Sequence, residues 1–256
     1  MAADFDALVA EGAAVPVDGW DFSWFDGRAT EERPAWGYAR QLAARLGAAR
    51  AALDIQTGGG EVLVESPIVP PLLVATESFA PNVAVARRTL GVIGASLVLA
   101  GDDAGLPFRT GSFDLVASRH PTVTVWEEVA RVLQPKGVYF SQQVGAGTLR
   151  ELTDFMMGAQ PVSDARSVPR AVAAAERAGL EVVDVRQASL RTVFFDVAAV
   201  THFLRKVPWI VPDFTVERYR DRLAALHASI QRHGNFVAHA QRFLIEAHKL
   251  PGPVPT

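Results

Sequence analysis

Three consecutive glycines, Gly58, Gly59 and Gly60, follow the apolar run Ala51-Ala-Leu-Asp-Ile55, and an acid, Asp54, sits just ahead of them. That order reads as a short buried strand, a tight turn and the start of a helix. Glycine permits the bend, and without a Cβ it lets a ligand lie against the peptide groups. What the turn lacks narrows what it can hold. A dinucleotide fingerprint needs a third glycine where Leu63 stands, and a phosphate loop needs a Gly-Lys-Ser/Thr that is absent. Asp54 would repel a phosphate but receive an ammonium group, so the turn suits a ligand with a cationic amino end and a nucleoside. Further acids close later apolar runs: Glu77 after Leu72-Leu-Val-Ala-Thr76, and Asp102 and Asp103 after Ser96-Leu-Val-Leu-Ala100. Glu77, 23 residues beyond Asp54, stands near where nucleoside-binding sheets place the acid that accepts two ribose hydroxyls. His120 ends the run Ser112-Phe-Asp-Leu-Val-Ala-Ser-Arg-His. Imidazole titrates near neutral pH, which makes His120 the best candidate for a catalytic base, the alternative being a residue that orders its loop.

Strands and helices must alternate to bring these groups together. Strands are expected at 51–55, 72–76, 96–100, 112–120, 138–144, 180–185 and within 236–247, and helices at 34–46, 81–90, 126–133 and 168–178. Helix 34–46 is expected to carry Trp36 on its apolar face, and helix 126–133 to stop at Pro135. This alternation argues for a mainly parallel sheet covered on both faces. A single domain over residues 1–256 is expected, with residues 1–46 as an N-terminal lid or cover. Trp20, Trp24 and Trp36 fall in that segment, where they cover a sheet edge or where Trp24 and Trp36, with Arg28, line a lid. Residues 190–234 form an insertion too long to be a plain connector, read as core cover or as a substrate cap.

The stretch Leu53-Asp-Ile-Gln-Thr-Gly-Gly-Gly-Glu61 resembles the first motif of class I S-adenosylmethionine-dependent methyltransferases, acid-x-Gly-x-Gly-x-Gly. Asp54, Gly58 and Gly60 match it, and Gln56 replaces the first glycine; a strand-like backbone there would tolerate the side chain. Gly101-Asp-Asp-Ala-Gly-Leu-Pro-Phe108 is similar to the family's Gly-Asp-Ala-x-x-Leu-Pro-Phe. Phe113-Asp-Leu-Val116 and Arg131-Val-Leu-Gln-Pro-Lys-Gly137 look like two more landmarks, with Lys136 where glycine is usual. The resemblance covers roughly residues 50 to 145. It implies a Rossmann-like α/β fold: a seven-stranded, mostly parallel sheet with helices on both faces and an antiparallel last strand. It implies S-adenosyl-L-methionine as cofactor and S-adenosyl-L-homocysteine as product. The implied cofactor-binding residues are Asp54, Gln56, Gly58, Gly60, Glu77 on the ribose, Asp102 near the adenine amino group, Asp103 through its backbone N–H, Ser118, and Arg28 from the lid. The implied activity is O- or N-methylation of a small-molecule acceptor, with His120 as the catalytic candidate. A ribosomal RNA base methyltransferase is one alternative. A non-catalytic cofactor-binding module with the same fold is another, to which Gln56 and Lys136 point.

Charge balance speaks against nucleic acid as the partner. The 25 Lys and Arg are outnumbered by 28 Asp and Glu, for a net charge of -3, and no basic run exceeds Arg87-Arg88, whereas phosphate backbones are bound by clustered cations. Without cysteine there can be no disulfide and no thiolate zinc site, and the spacing of the six histidines suggests no metal site. No apolar run is long enough to span a membrane and no signal peptide opens the chain, so a cytoplasmic protein is expected. Trp24, Trp36, Phe194, Phe195, Trp209 and Phe214 fall in the two segments expected to close over the site. They suit a mostly apolar pocket, and hence a small apolar or aromatic acceptor.

Overall fold

The computed structural model describes residues 4–17, 22–103 and 105–251, so Trp20 lies outside the described residues. Its strands, numbered along the chain, are β1 (Ala29–Glu31), β2 (Ala51–Ile55), β3 (Leu72–Glu77), β4 (Ser96–Leu99), β5 (Phe113–Arg119), β6 (Leu133–Val144), β7 (Leu180–Phe194) and β8 (Phe236–Lys249). The helices are α1 (Phe5–Ala14), α2 (Tyr38–Ala48), α3 (Glu61–Val64), α4 (Ala80–Gly91), α5 (Trp126–Val132), α6 (Arg150–Met157), α7 (Val168–Arg177), α8 (Val197–Lys206) and α9 (Val216–His233). The chain divides into two compact units, each assembled from separate stretches. One comprises residues 34–145, 164–188 and those from 242 on; the other comprises residues up to 33, 146–163 and 189–241.

The first unit holds the sheet order β7-β8-β6-β5-β2-β3-β4. β2 pairs in parallel with β3 and with β5, β3 with β4, and β5 with β6. β8 runs antiparallel to β6. These seven strands, the parallel pairing and the antiparallel last strand agree with the expected fold class. After β4 the chain crosses back to lay β5 on the other side of β2, so the strand order reverses between β2 and β5. Open α/β sheets bind their ligands beside the carboxyl ends of the strands at such a reversal.

Alternate residues of each strand feed two separate cores, as the period of two requires. Leu53, Val116, Tyr139 and Ile245 pack with Trp126, Val129 and Val132 of α5 and Ala175 of α7. Ala52, Leu115, Ala117, Phe140 and Leu244 pack with Leu42 and Leu46 of α2, Leu63 of α3, and Ala86 and Leu90 of α4. Helices thus cover both faces, and the strands read as nearly continuous apolar runs because both sides are buried.

Four expectations need correction. α2 begins at Tyr38 rather than Pro34, because Gly37 takes a left-handed conformation at φ 63° and sets the helix start there; Trp36 therefore precedes the helix. The helix after the glycine turn is the single turn α3, since Pro67, Pro70 and Pro71 follow at once and Pro cannot extend a helix. β6 begins at Leu133, so Pro135 lies in the strand. The pairing slips between Phe113 opposite Leu133 and Leu115 opposite Val138, and Lys136 in that irregularity has φ 66°, which accounts for glycine being usual there. The backbone at Gln56 is left-handed at φ 57°, not strand-like.

In the second unit β1 pairs antiparallel with the later part of β7, an eighth strand beyond the seven expected. Residues 190–194 of the expected insertion continue β7, which runs well past residue 185, and two helices make up most of the rest. α8 is buried almost all round and starts at Asp196, whose Oδ1 accepts from the Ala199 N–H at 2.7 Å. α9 starts at Thr215, whose hydroxyl oxygen accepts from the Arg218 N–H at 3.1 Å. α1 and α8 approach so closely that a Cβ at Gly12 would stand 2.3 Å from the Ala198 carbonyl oxygen.

Candidate functional site

At the carboxyl ends of β2 and β3 two carboxylates are buried in one layer, Asp54 and Glu77. Glu77 is fully engaged by the protein. Its Oε1 accepts from the N–H groups of Ser78 at 2.8 Å and Phe79 at 2.9 Å, and its Oε2 from the Gly58 N–H at 2.8 Å and the Asn82 amide at 3.4 Å. It therefore ties the glycine turn to the start of α4. Asp54 has no such set of donors. Burial pushes its carboxyl up to about 7, against the opposing pull of Thr57 and the Arg119 guanidinium. Two buried atoms beside these acids, Thr57 Oγ1 and Asn82 Oδ1, make no hydrogen bond of acceptable geometry in the protein. Gly58 and Gly60 both have positive φ, 66° and 81°, and a Cβ at Gly60 would meet Leu90 at 2.8 Å. The turn needs glycine for both reasons.

Across the mouth of this layer runs a chain of polar contacts. The Gln56 side-chain amide donates to the Val123 carbonyl at 2.7 Å, and its Oε1 accepts from the Thr122 N–H at 2.6 Å. The Thr122 hydroxyl donates toward Asp102 Oδ2 at 2.5 Å, and Ser78 donates to Asp102 Oδ1 at 2.7 Å. The residue that replaces glycine thus fastens the loop after β5 to the loops after β2 and β4. Beneath it lies a cleft lined by Gln56, Thr76, Asp102, Leu106, Val125 and Val129 among others. Its lining mixes apolar side chains with the polar groups of Thr76, Asp102, Ser118 and Glu128.

His120 ends β5 in a left-handed conformation, φ 55°. Its backbone N–H donates to the Gln142 carbonyl at 2.7 Å, and its Nε2 lies 2.9 Å from the Gln142 side-chain nitrogen. Gln142 Oε1 in turn accepts from the Trp36 indole N–H at 2.7 Å. Burial, with Arg242 and Arg119 nearby, holds the His120 imidazole well below its usual range, so the ring is neutral. Ser118, two residues earlier, reaches the cleft, but its hydroxyl is shared with Tyr139 at 2.8 Å and Ser141 at 2.9 Å inside the core.

The structure gathers Asp54, Gln56, Gly58, Gly60, Glu77, Asp102, Asp103, Ser118 and His120 in the first unit, with Asp103 exposed. Arg28 belongs to the second unit, where it pairs with Glu11 at 2.5 Å and Asp196 at 3.3 Å and lies over the Trp24 ring. Trp24 stays with it, and Trp36 does not. Sequence reading missed Asn82, Thr122, Gln142 and Tyr139. The pair Gln142-Gln143 inside an apolar strand was the readable signal for one of them. Among the described residues no cluster of acidic residues and histidines is arranged to hold a metal, and no helix is long and apolar enough to cross a membrane.

Comparison with known proteins places this geometry. Residues 53–141 match the methyltransferase domain family model, with Asp54, Glu77, Asp102 and His120 inside the matched stretch. No curated protein matches the chain in sequence. Among solved structures it is similar to a candidate methyltransferase from Bacillus halodurans C-125, at 19% identity over 83% of this chain and 97% of that one, with a TM-score of 0.59. The YcgJ protein of Bacillus subtilis gives 17% identity over 84% and 99%, with a TM-score of 0.61. An S-adenosylmethionine-dependent methyltransferase from Mesorhizobium loti gives 16% over 83% and 99%, with a TM-score of 0.50. Likeness at these identities is likeness of fold. Residues 53–141 thus match the methyltransferase domain model, and the fold around them is one that methyltransferases share.

Proposed function

We propose that the chain transfers a methyl group from S-adenosyl-L-methionine to the oxygen or nitrogen of a small-molecule acceptor. The observation that carries this reading is the grouping of Asp54, Glu77 and Asp102 around the left-handed Gly58 and Gly60 turn at the strand-order reversal. The residues present fit the cofactor. Asp54 is a buried carboxyl short of donors, which an ammonium group would supply. Thr57 Oγ1 and Asn82 Oδ1 are buried polar atoms in want of partners, which ribose hydroxyls would supply beside Glu77. Leu106, Val125 and Val129 in the lining of the cleft offer apolar contact to a purine, with Asp102 in the same lining to accept from an exocyclic amine.

The cofactor supplies a methyl group on a sulfonium, which a lone pair displaces directly. The protein's part is to align the acceptor behind the methyl carbon and to exclude water. The small-molecule acceptor is supported by the charge balance, in which acids exceed bases. Incubation with radiolabelled S-adenosyl-L-methionine and a panel of phenols, carboxylic acids and amines tests it, with ribosomal RNA as the contrasting acceptor. Incorporation into RNA, with tight salt-sensitive retention of RNA on filters, would overturn the small-molecule reading.

A further inference from the structure

We propose that Gln142 is a positioning residue that locks His120 in its neutral Nδ1–H tautomer, so that His120 offers a hydrogen-bond donor to the methyl acceptor and does not act as its base. The chain of inference begins at Trp36. An indole nitrogen can only donate, so the Gln142 atom 2.7 Å from Trp36 Nε1 must be the carbonyl oxygen. That fixes the orientation of the amide, and its NH₂ group faces His120 Nε2 at 2.9 Å. An amide NH₂ only donates, so Nε2 must carry the lone pair. The one proton of the neutral ring is then on Nδ1.

Nδ1 makes no hydrogen bond among the described residues, and the ring is half-buried, so this donor is left open. His120 directly precedes Pro121 in the lining of the cleft. The left-handed backbone at His120 and its N–H bond to the Gln142 carbonyl hold the ring's base in place. The charged groups acting on the ring are Arg119 and Arg242, both cations, which disfavour an imidazolium. Nε2, the usual site for taking a proton, is already accepting one hydrogen bond from Gln142. Resting on the methyltransferase reading, the assignment narrows the acceptor: besides the lone pair that attacks the methyl carbon, it carries a second oxygen or nitrogen lone pair that Nδ1–H can hold. The bond from acceptor to methyl carbon forms as the carbon–sulfur bond breaks, and any O–H or N–H proton of the acceptor is not taken by Nε2 but passes to solvent when the site opens to release the product.

Nitrogen-15 NMR of the full-length protein, with histidine tautomers read from two-bond couplings, tests the proposal. In the wild type His120 is expected in the Nδ1–H form by about ten to one, the weight of a single hydrogen bond of ordinary strength. Gln142→Glu replaces the donor with an acceptor. It should switch the ring to Nε2–H, raise the pH at which it protonates by about one unit or more, and lower turnover about tenfold or more with S-adenosyl-L-homocysteine affinity unchanged. Trp36→Phe frees the amide to rotate and should give a mixture of tautomers. An Nε2–H ring in the wild type, or a ring indifferent to Gln142→Glu, would overturn the proposal. Loss of S-adenosyl-L-homocysteine binding alongside an intact Nδ1–H ring would count against the methyltransferase reading alone.

Discussion

Asp54 and Glu77 are the same kind of group in nearly the same place, each buried at the carboxyl end of a parallel strand beside the glycine turn, and the protein treats them oppositely. Glu77 receives three peptide N–H groups and an amide, and it joins two elements. Asp54 is left without such donors and is pushed toward neutrality at about 7. A carboxylate that the chain itself satisfies serves the fold. One that the chain buries and leaves short of donors is poised for a cation from outside.

The largest expected effect tests the Asp54 side. Its folded-state value is raised from 3.8 to about 7, so the stability it contributes is fully present below pH 3.8 and is lost as the pH rises to about 7. Asp54→Asn cannot ionise and should escape this loss. Urea unfolding should find the variant more stable than wild type by an amount that grows between pH 4 and 7, up to about 4 kcal/mol, and is constant above pH 8. A difference that does not change with pH would show Asp54 to be as well satisfied as Glu77.

Glu77→Ala comes next. It leaves the N–H groups of Gly58, Ser78 and Phe79 without their acceptor, and should cost about 1–3 kcal/mol in chemical unfolding. An unchanged unfolding midpoint would dissolve the contrast from the other side. Gln56→Gly removes a left-handed glutamine but also its bonds to Thr122 and Val123. Global stability should change by less than about 1 kcal/mol, while amide exchange at Thr122 speeds up by about tenfold as the loop is released. Lys136→Gly is the smallest: relief of the φ 66° conformation, offset by the freedom glycine gains in the unfolded chain, should stabilise by about 0.5 kcal/mol, read as a small rise in melting temperature.

The same comparison explains what the sequence could reveal. Asp54 and Glu77 were legible because each interrupts or ends an apolar run buried on both sides, where a charge stands out, and Asp102 because it follows the apolar run of the edge strand β4. The glycine turn was legible because positive φ selects glycine. Gln56, His120 and Lys136 take the same left-handed conformation with no compositional mark, so their backbone geometry could not be read. The path from Trp36 through Gln142 to His120 joins residues far apart in the chain, and only the sheet brings them together. In the second unit, α8 buries Thr201, His202 and Lys206 along with its apolar residues, so its polar residues do not mark a solvent face, and β1 is three residues within a polar stretch.

The most direct test of the central claim is calorimetry of purified protein with S-adenosyl-L-homocysteine, S-adenosyl-L-methionine and NAD at pH 6 and pH 8. Binding of both sulfur nucleosides and not NAD is predicted. Affinity should be about tenfold tighter at pH 8, and at pH 6 a proton should be released as the ammonium group ionises Asp54. Asp54→Asn should bind more weakly, with no such dependence on pH. No heat with either sulfur nucleoside at pH 8, or binding of NAD in their place, would contradict the account.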